Sequence, residues 1–258
     1  MKLSQLAGQQ RVTDKEIQQT DEYREVVKNA SEEVALLTCR IVLRGTTGAL
    51  PEAASIVKAQ LTAFGALRRL ADDDRTMTWV PSGPGGNNAF VSLVNGDVDK
   101  FDFAPGTTVN CWEVVLLAAV LDGQVTTTDS LRAIYSSRPR DFEAELIHRL
   151  TGDALTAYDP SSSAGKPLPG DIVLFGGLDH VVMATGKAIQ GPMVDPEHPT
   201  GTSVISFWPA PLVKSFGPNT RTKVDCTTIE AILEWYSANH QPLPTVTFGS
   251  PRWSQLNQ

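Results

Sequence analysis

Residues 169–186, Pro169-Gly-Asp-Ile-Val-Leu-Phe-Gly-Gly-Leu-Asp-His-Val-Val-Met-Ala-Thr-Gly186, contain the clearest strand signal in the chain. Two short apolar runs, Ile172–Phe175 and His180–Ala184, are separated by a segment that begins with Gly-Gly. Short apolar runs on either side of a glycine turn are typical of two paired strands. The stretch therefore predicts two adjacent antiparallel strands, with His180 at the start of the second.

A second informative stretch lies about seventy residues earlier. Gly106-Thr-Thr-Val-Asn-Cys-Trp-Glu-Val-Val-Leu-Leu-Ala-Ala119 runs from a Gly/Thr loop into a strongly apolar helix, which places Cys111 at or near the helix N-terminus. The unpaired N–H groups and the dipole of a helix stabilise a thiolate there, and the same N–H groups can bind the oxygen of an attacked carbonyl. Cys111 is therefore a candidate nucleophile, and an inert buried thiol is the alternative.

The first 75 residues are predicted to form a helical appendage. Helix-favouring Glu, Gln, Lys and Arg dominate the run from Thr13 to about Leu37, with Thr13 or Asp14 as its N-cap. A second helix is predicted just after Pro51, because apolar residues recur there at spacings of three and four until the acidic run at 72–74. No chemistry is assigned to this region.

From residue 76 the pattern changes towards strands. Residues 76–80 and 90–94 are rich in β-branched and aromatic side chains, and Asn95-Gly96 is a strong hairpin signal. Later segments predict a strand over 203–208 and a helix that opens at the capping-box pattern 227–230. The predicted fold class is therefore α+β, with a helical region over 1–75 and a second domain over 76–258.

Composition excludes several classes of function. The net charge is −7 and Lys and Arg are not clustered, which argues against nucleic acid as a partner. No apolar run reaches the roughly 18–20 residues that span a bilayer, so neither a membrane segment nor a signal peptide is predicted. The three cysteines are far apart and form no CxxC pair, which argues against a disulfide framework or a zinc ribbon.

Taken together, these motifs resemble the papain-like cysteine hydrolases. Asn110-Cys111-Trp112 opens an apolar helix, and a Pro-Gly-Asp-Ile-Val-Leu-Phe strand and an Asp179-His180-Val-Val-Met-Ala-Thr-Gly186 run follow it. The Pro-Gly-Asp strand is most similar to the bacterial cell-wall peptidases of the NlpC and CHAP type, and the Cys-Trp pair is similar to papain itself. The resemblance covers residues 105–210. It implies a papain-like catalytic domain in which a helix carrying Cys111 packs on an antiparallel sheet carrying His180.

The resemblance implies Cys111 as nucleophile and His180 as general base, but it leaves the third residue open. Ile205-Ser206-Phe-Trp208 corresponds to the strand that carries the orienting residue in papain-type enzymes, which makes Ser206 one candidate. Asp195, with Glu197 and His198 as rivals, is the other, because the cell-wall branch places its third polar residue soon after the histidine strand.

Residues next to the pair are candidates for binding substrate: Asn110, Trp112 and Asp179. The glutamine that papain places before its cysteine is absent, so either the backbone alone or another side chain such as Asn110 stabilises the oxyanion. No cofactor is expected. A metal site made of His180, Asp195 and His198 is disfavoured, because their spacing matches no HExxH-like arrangement.

The sequence hypothesis is a hydrolase that cleaves an amide bond through a thioester on Cys111. Transfer of the acyl group to an amine (transglutaminase), deamidation of a glutamine, and a papain-shaped binding module without turnover are the alternatives. The expected substrate is a peptide, peptidoglycan or a protein. Without a signal peptide the chain is expected to be cytoplasmic as synthesised, and a toxin or effector role would require a dedicated export machine. The N-terminal helices would then bind an immunity or chaperone protein.

Overall fold

The computed structural model describes residues 1–9, 11–72, 76–80, 86–104, 106–152, 154–162, 164–186, 201–207 and 221–258. This part of the chain has an α+β architecture. Its helices are α1 Asp14–Gln18, α2 Asp21–Val26, α3 Glu32–Leu43, α4 Leu50–Asp72, α5 Ala89–Asn95, α6 Cys111–Leu121, α7 Asp129–Tyr135, α8 Pro139–Thr151 and α9 Ile229–Ala238. Its strands are β1 Thr76–Trp79, β2 Thr108–Val109, β3 Thr156–Ala157, β4 Ile172–Phe175, β5 His180–Ala184, β6 Ser203–Ser206, β7 Arg221–Lys223, β8 Asp225–Thr228 and β9 Val246–Gly249.

The main sheet has six strands in the order β3-β9-β4-β5-β6-β8, and neighbouring strands are antiparallel. The predicted pair β4 and β5 lies at its centre, with Phe175 opposite His180. Every residue of both strands is buried, which explains their continuous apolar sequence. The prediction of two paired strands at these positions is confirmed.

Helices cover both faces of this sheet. Val181 and Met183 of β5 share a hydrophobic cluster with α6, whereas Val182 and Ala184 share one with α9. This alternation is the two-residue period of a strand. By the same alternation, the His180 side chain lies on the α9 face with Val182 and Ala184, and Val181 lies on the face that packs against α6.

A small second sheet positions the start of α6. β1 pairs in parallel with β2 and antiparallel with β7. Trp79 is in register with Val109, and the Val80 N–H donates to the Val109 carbonyl at 3.0 Å. Because β2 ends just before Asn110, this sheet fixes the backbone that leads into Cys111.

The N-terminal helices are confirmed as helices, but α4 is not an appendage. Ala63, Leu67 and Leu70 of α4 belong to the same core cluster as α6 and β5. Helices α1–α3 have a smaller cluster of their own, which includes Cys39. Packing therefore does not separate the chain at residue 75.

A buried carboxylate ties these helices to the sheet. Asp171, of the Pro-Gly-Asp motif, is fully buried and pairs with Arg44 at the C-terminal end of α3 at 2.5 Å. Gln60 of α4 and Ser250 each donate to the other carboxylate oxygen at 2.8 Å. Every carboxylate oxygen thus has donors, as a buried charge requires.

Two predicted elements differ in the structure. The predicted helix over 13–37 is three shorter helices, although Thr13 caps the first as predicted. The predicted strand over 90–94 is wrong: these residues lie in helix α5, where Asn88 is the N-cap and Gly96, with φ 80°, is the C-cap. Residues 90, 91, 93 and 94 are all buried, which is the helical rather than the strand period.

Within the described ranges, no helix is both long and apolar enough to span a bilayer.

Candidate active site

The N-terminus of α6 is held by a reciprocal cap. The Asn110 side-chain oxygen accepts the Glu113 N–H at 2.9 Å, and the Glu113 carboxylate accepts the Asn110 N–H at 2.9 Å. This capping box makes Cys111 the first residue of the helix, as predicted. The Nδ2 atom of Asn110 is buried without a hydrogen-bond partner.

Glu113 is fully buried, and its carboxylate is held by neighbours on other helices. Asn88 donates to one oxygen, and the Tyr135 hydroxyl donates to the other at 3.0 Å. The Trp112 indole N–H in turn donates to that hydroxyl at 3.3 Å. Glu113 therefore caps and anchors the helix, and the network holds the indole of Trp112, a candidate for substrate binding.

The Cys111 sulfur is almost fully enclosed, with 1% of the residue exposed. Burial raises the pKa of its thiol to about 11, although backbone N–H groups of Val181, Trp112 and Cys111 itself and the indole of Trp79 partly oppose the rise. The helix N-terminus alone was expected to favour the thiolate. Desolvation outweighs it here, because a charged sulfur loses its water on burial.

His180 is also buried, with 1% exposed, and its Nε2 lies 2.9 Å from the Ser206 hydroxyl oxygen. Its ring packs against Phe175, with 5.7 Å between ring centroids. Burial lowers the pKa of the imidazole to about 3. The imidazole is therefore neutral at physiological pH.

The third residue was left open between Ser206 and Asp195. Of these candidates, Ser206 lies beside the imidazole. Asp195 and its rivals Glu197 and His198 lie outside the described residues.

Cys111 begins α6, which packs against the Val181 face of β5, whereas the His180 side chain lies on the α9 face. Among the backbone N–H groups that lower the pKa of the Cys111 thiol is that of Val181, the residue after His180. Among the described residues, the thiol and the imidazole form no direct hydrogen bond with each other. The thiol therefore lies against the peptide that joins His180 to Val181, and the imidazole binds Ser206 on the neighbouring strand.

Two further side chains surround this point. Asp179 is exposed in the turn before His180. The pKa of Tyr236 on α9 is raised to about 12, chiefly by burial and to a smaller extent by the charges of Asp179 and Cys111. The Tyr236 hydroxyl thus lies within electrostatic range of both, and Asp179 stands at the solvent side of the site.

Sequence reasoning missed Trp79, Tyr135 and Tyr236. The strand pattern over 76–80 predicted β1 but carried no sign that β1 pairs with the strand that leads into Cys111. Trp79 comes close to Cys111 because β1 and β2, two segments thirty residues apart in the chain, pair in parallel.

No three His, Cys, Asp or Glu side chains within the described ranges are grouped to hold a metal ion. Comparison with protein-family models, with curated proteins and with solved structures found no match.

Proposed function

We propose that this chain is a cysteine-dependent hydrolase of amide bonds built on a papain-like core. Cys111 is the nucleophile, His180 the general base and then acid, and Ser206 the residue that orients the imidazole. The observation that carries the proposal is the sequence of contacts around the end of β5. The backbone N–H that follows His180 in β5 favours the thiolate of Cys111, and Nε2 of His180 lies 2.9 Å from the Ser206 hydroxyl oxygen.

The reaction starts from a neutral thiol and a neutral imidazole. With Nε2–H donating to Ser206, Nδ1 carries the lone pair that takes the thiol proton as sulfur attacks the carbonyl carbon. The S–C bond forms, and the carbonyl π electrons move to oxygen. The amine then leaves with the proton from the imidazolium, and a thioester remains on Cys111.

Water completes the cycle. His180 removes a proton from the water as its oxygen attacks the thioester carbon, and the proton returns to the sulfur as the S–C bond breaks. The products are a carboxylic acid and the free thiol. If an amine replaces water the same steps give acyl transfer, and a glutamine side chain as substrate gives deamidation with release of ammonia.

The groups around the sulfur suit an acyl substrate. All of the contacts that oppose the rise in the thiol pKa are N–H donors: three from the backbone and one from an indole. Donors arranged around one point stabilise an oxyanion as it forms. Peptides, peptidoglycan stem peptides and protein glutamines all supply such a carbonyl.

A second candidate is a papain-shaped binding module without turnover. The burial of the Cys111 thiol and the His180 imidazole favours a binding module. Only 1% of each residue is exposed, which leaves no room for a substrate at the sulfur in this conformation. Catalysis requires the site to open, whereas a binding module does not.

Acylation by p-nitrophenyl acetate distinguishes the two. Each cysteine is followed by mass spectrometry after proteolysis, with Cys39 as the buried internal control. The hydrolase predicts an acetyl group that appears first on Cys111 and is then lost to water. A Cys111 that is acylated no faster than Cys39 would support the binding module and overturn the proposal.

A further inference from the structure

The residue that stands out beside the site is Trp79. Its indole nitrogen is buried and has no hydrogen-bond partner within the described part of the chain. A buried N–H without an acceptor loses its bond to water and gains nothing in return, so such groups are rare and call for an explanation. Trp79 is the last residue of β1 and is in register with Val109, the last residue of β2, which precedes Cys111 by two residues.

The indole lies near Cys111, because Trp79 pairs with the residue two positions before it. It is near enough to favour the thiolate, yet it lies outside hydrogen-bond geometry with the neutral thiol. A donor held there without a partner is available to an anion that forms only during the reaction. The backbone pairing of β1 and β2 keeps it in place, since the Val80 N–H donates to Val109 and the Thr78 N–H to Thr107.

We propose that the Trp79 indole N–H is the side-chain donor of the oxyanion hole, in the place left empty by the missing glutamine. This inference rests on the proposed function. During attack by Cys111 the carbonyl oxygen gains negative charge, and Trp79 donates to it beside the backbone N–H groups at the start of α6. Trp79 is then a catalytic residue, because it touches the reacting oxygen.

The test compares two reactions of the same thiol. Acylation by p-nitrophenyl acetate passes through an oxyanion: an S–C bond forms, p-nitrophenolate leaves and the thiol proton goes to His180. Alkylation by iodoacetamide displaces iodide at a saturated carbon and forms no oxyanion. Loss of an oxyanion donor slows the first reaction and not the second.

The variant is Trp79→Phe, which removes the N–H and keeps an aromatic ring. Trp253→Phe is the matched control, because its indole nitrogen is also buried without a partner and Trp253 is not among the groups acting on Cys111. Both rates are measured at Cys111 by mass spectrometry, in the full chain.

We expect Trp79→Phe to slow acylation by about 10²-fold, as for other single oxyanion donors. Alkylation should change less than about threefold, because the indole is the smallest of the N–H contributions to the thiol pKa. Trp253→Phe should change neither. Equal losses in both reactions, or no loss in acylation, would overturn the role of Trp79. If wild-type Cys111 is not acylated at all while it is alkylated, the proposed function itself fails, which is a distinguishable result.

Discussion

The chain holds two buried cysteines in contrasting surroundings. Cys39 lies inside α3, and Cys111 begins α6. The exposed fraction is 0% for Cys39 and 1% for Cys111, and burial raises the pKa of each thiol to about 11. For Cys39 the charge of Glu22 raises the pKa further, whereas for Cys111 four N–H groups oppose the rise.

The resting pKa does not distinguish Cys39 from Cys111, the proposed nucleophile. The difference lies in what surrounds the sulfur. Cys39 has apolar neighbours such as Ile17 and Leu6 in its cluster. Cys111 has donors for a developing negative charge and a strand that starts with an imidazole. Reactivity should therefore follow the neighbours, and the pKa should not predict it.

The largest effect is expected when each of the two buried cysteines is replaced by alanine. Cys111→Ala should abolish turnover of p-nitrophenyl acetate, a loss of at least about 10³-fold, because the nucleophile is gone. Cys39→Ala removes an equally buried sulfur and should leave turnover within about twofold, since no reacting group contacts it. Steady-state release of p-nitrophenolate measures both. Equal losses in the two variants would mean that the observed turnover depends on the fold and not on Cys111.

Asp171 joins α3, the helix that contains Cys39, to the main sheet. The second prediction therefore concerns the stability that this link provides. Asp171→Asn leaves the Arg44 guanidinium without its counter-charge at a buried position. We expect the free energy of unfolding to fall by about 3 kcal/mol, measured by urea denaturation.

Asp14→Asn is the control for that variant, because it breaks the ion pair of Asp14 with Arg40, in which the Asp14 side chain is 60% exposed. Its effect should be no more than about 1 kcal/mol. A comparable loss in both variants would contradict the buried role of Asp171.

The third prediction concerns the free energy of unfolding at low pH, which tests whether the buried His180 imidazole is neutral. The pKa of His180 is lowered from its ordinary value to about 3 in the folded chain. The neutral ring therefore contributes stability that is fully present above the unfolded pKa of about 6.5 and is lost as the pH falls through about 3. His180→Gln cannot take up this proton, so its unfolding free energy should fall less between pH 7 and pH 4. Parallel pH profiles for wild type and variant would show that His180 is not buried and neutral.

The smallest expected effect concerns the orienting residue. Ser206→Ala removes the hydroxyl at the imidazole Nε2, which should cost about 1 kcal/mol of transition-state stabilisation, or about five- to tenfold in the acylation rate. Ser203→Ala, on the same strand, is the control and should change the rate little. An unchanged acylation rate in the Ser206→Ala variant would return the orienting role to the loop that contains Asp195.

Local signals predicted the elements that carry the site. The limits of β4 and β5 follow from two apolar runs and a glycine turn, and α6 begins at Cys111 because Asn110 and Glu113 form a capping box. These features depend on residues within a few positions of each other. The same is true of α4, which starts beside Pro51.

Features that depend on tertiary packing could not be predicted. The sequence of the helix over 89–95 predicts a strand, because Val and Phe are common in strands. The N-cap Asn88 and the C-cap Gly96 favour the helix that is observed. The pKa of Cys111 follows the enclosure of its sulfur, which outweighs the helix N-terminus. The contacts of Asp171 and Trp79 join segments that are distant in the chain.

The central claim is that His180 takes the proton of Cys111, and the pH dependence of acylation tests it most directly. A neutral thiol–imidazole pair should react at a rate that is nearly constant between the two pKa values, about 3 and about 11. Cys39 can react only as a free thiolate, so its rate should rise about tenfold per pH unit towards its pKa.

The measurement is the acylation rate of each cysteine from pH 5 to pH 9, in wild type and in His180→Gln. The account predicts a flat profile for Cys111 in wild type that becomes as steep as that of Cys39 in His180→Gln. A steep Cys111 profile in wild type, unchanged in His180→Gln, would contradict the thiol–imidazole pair.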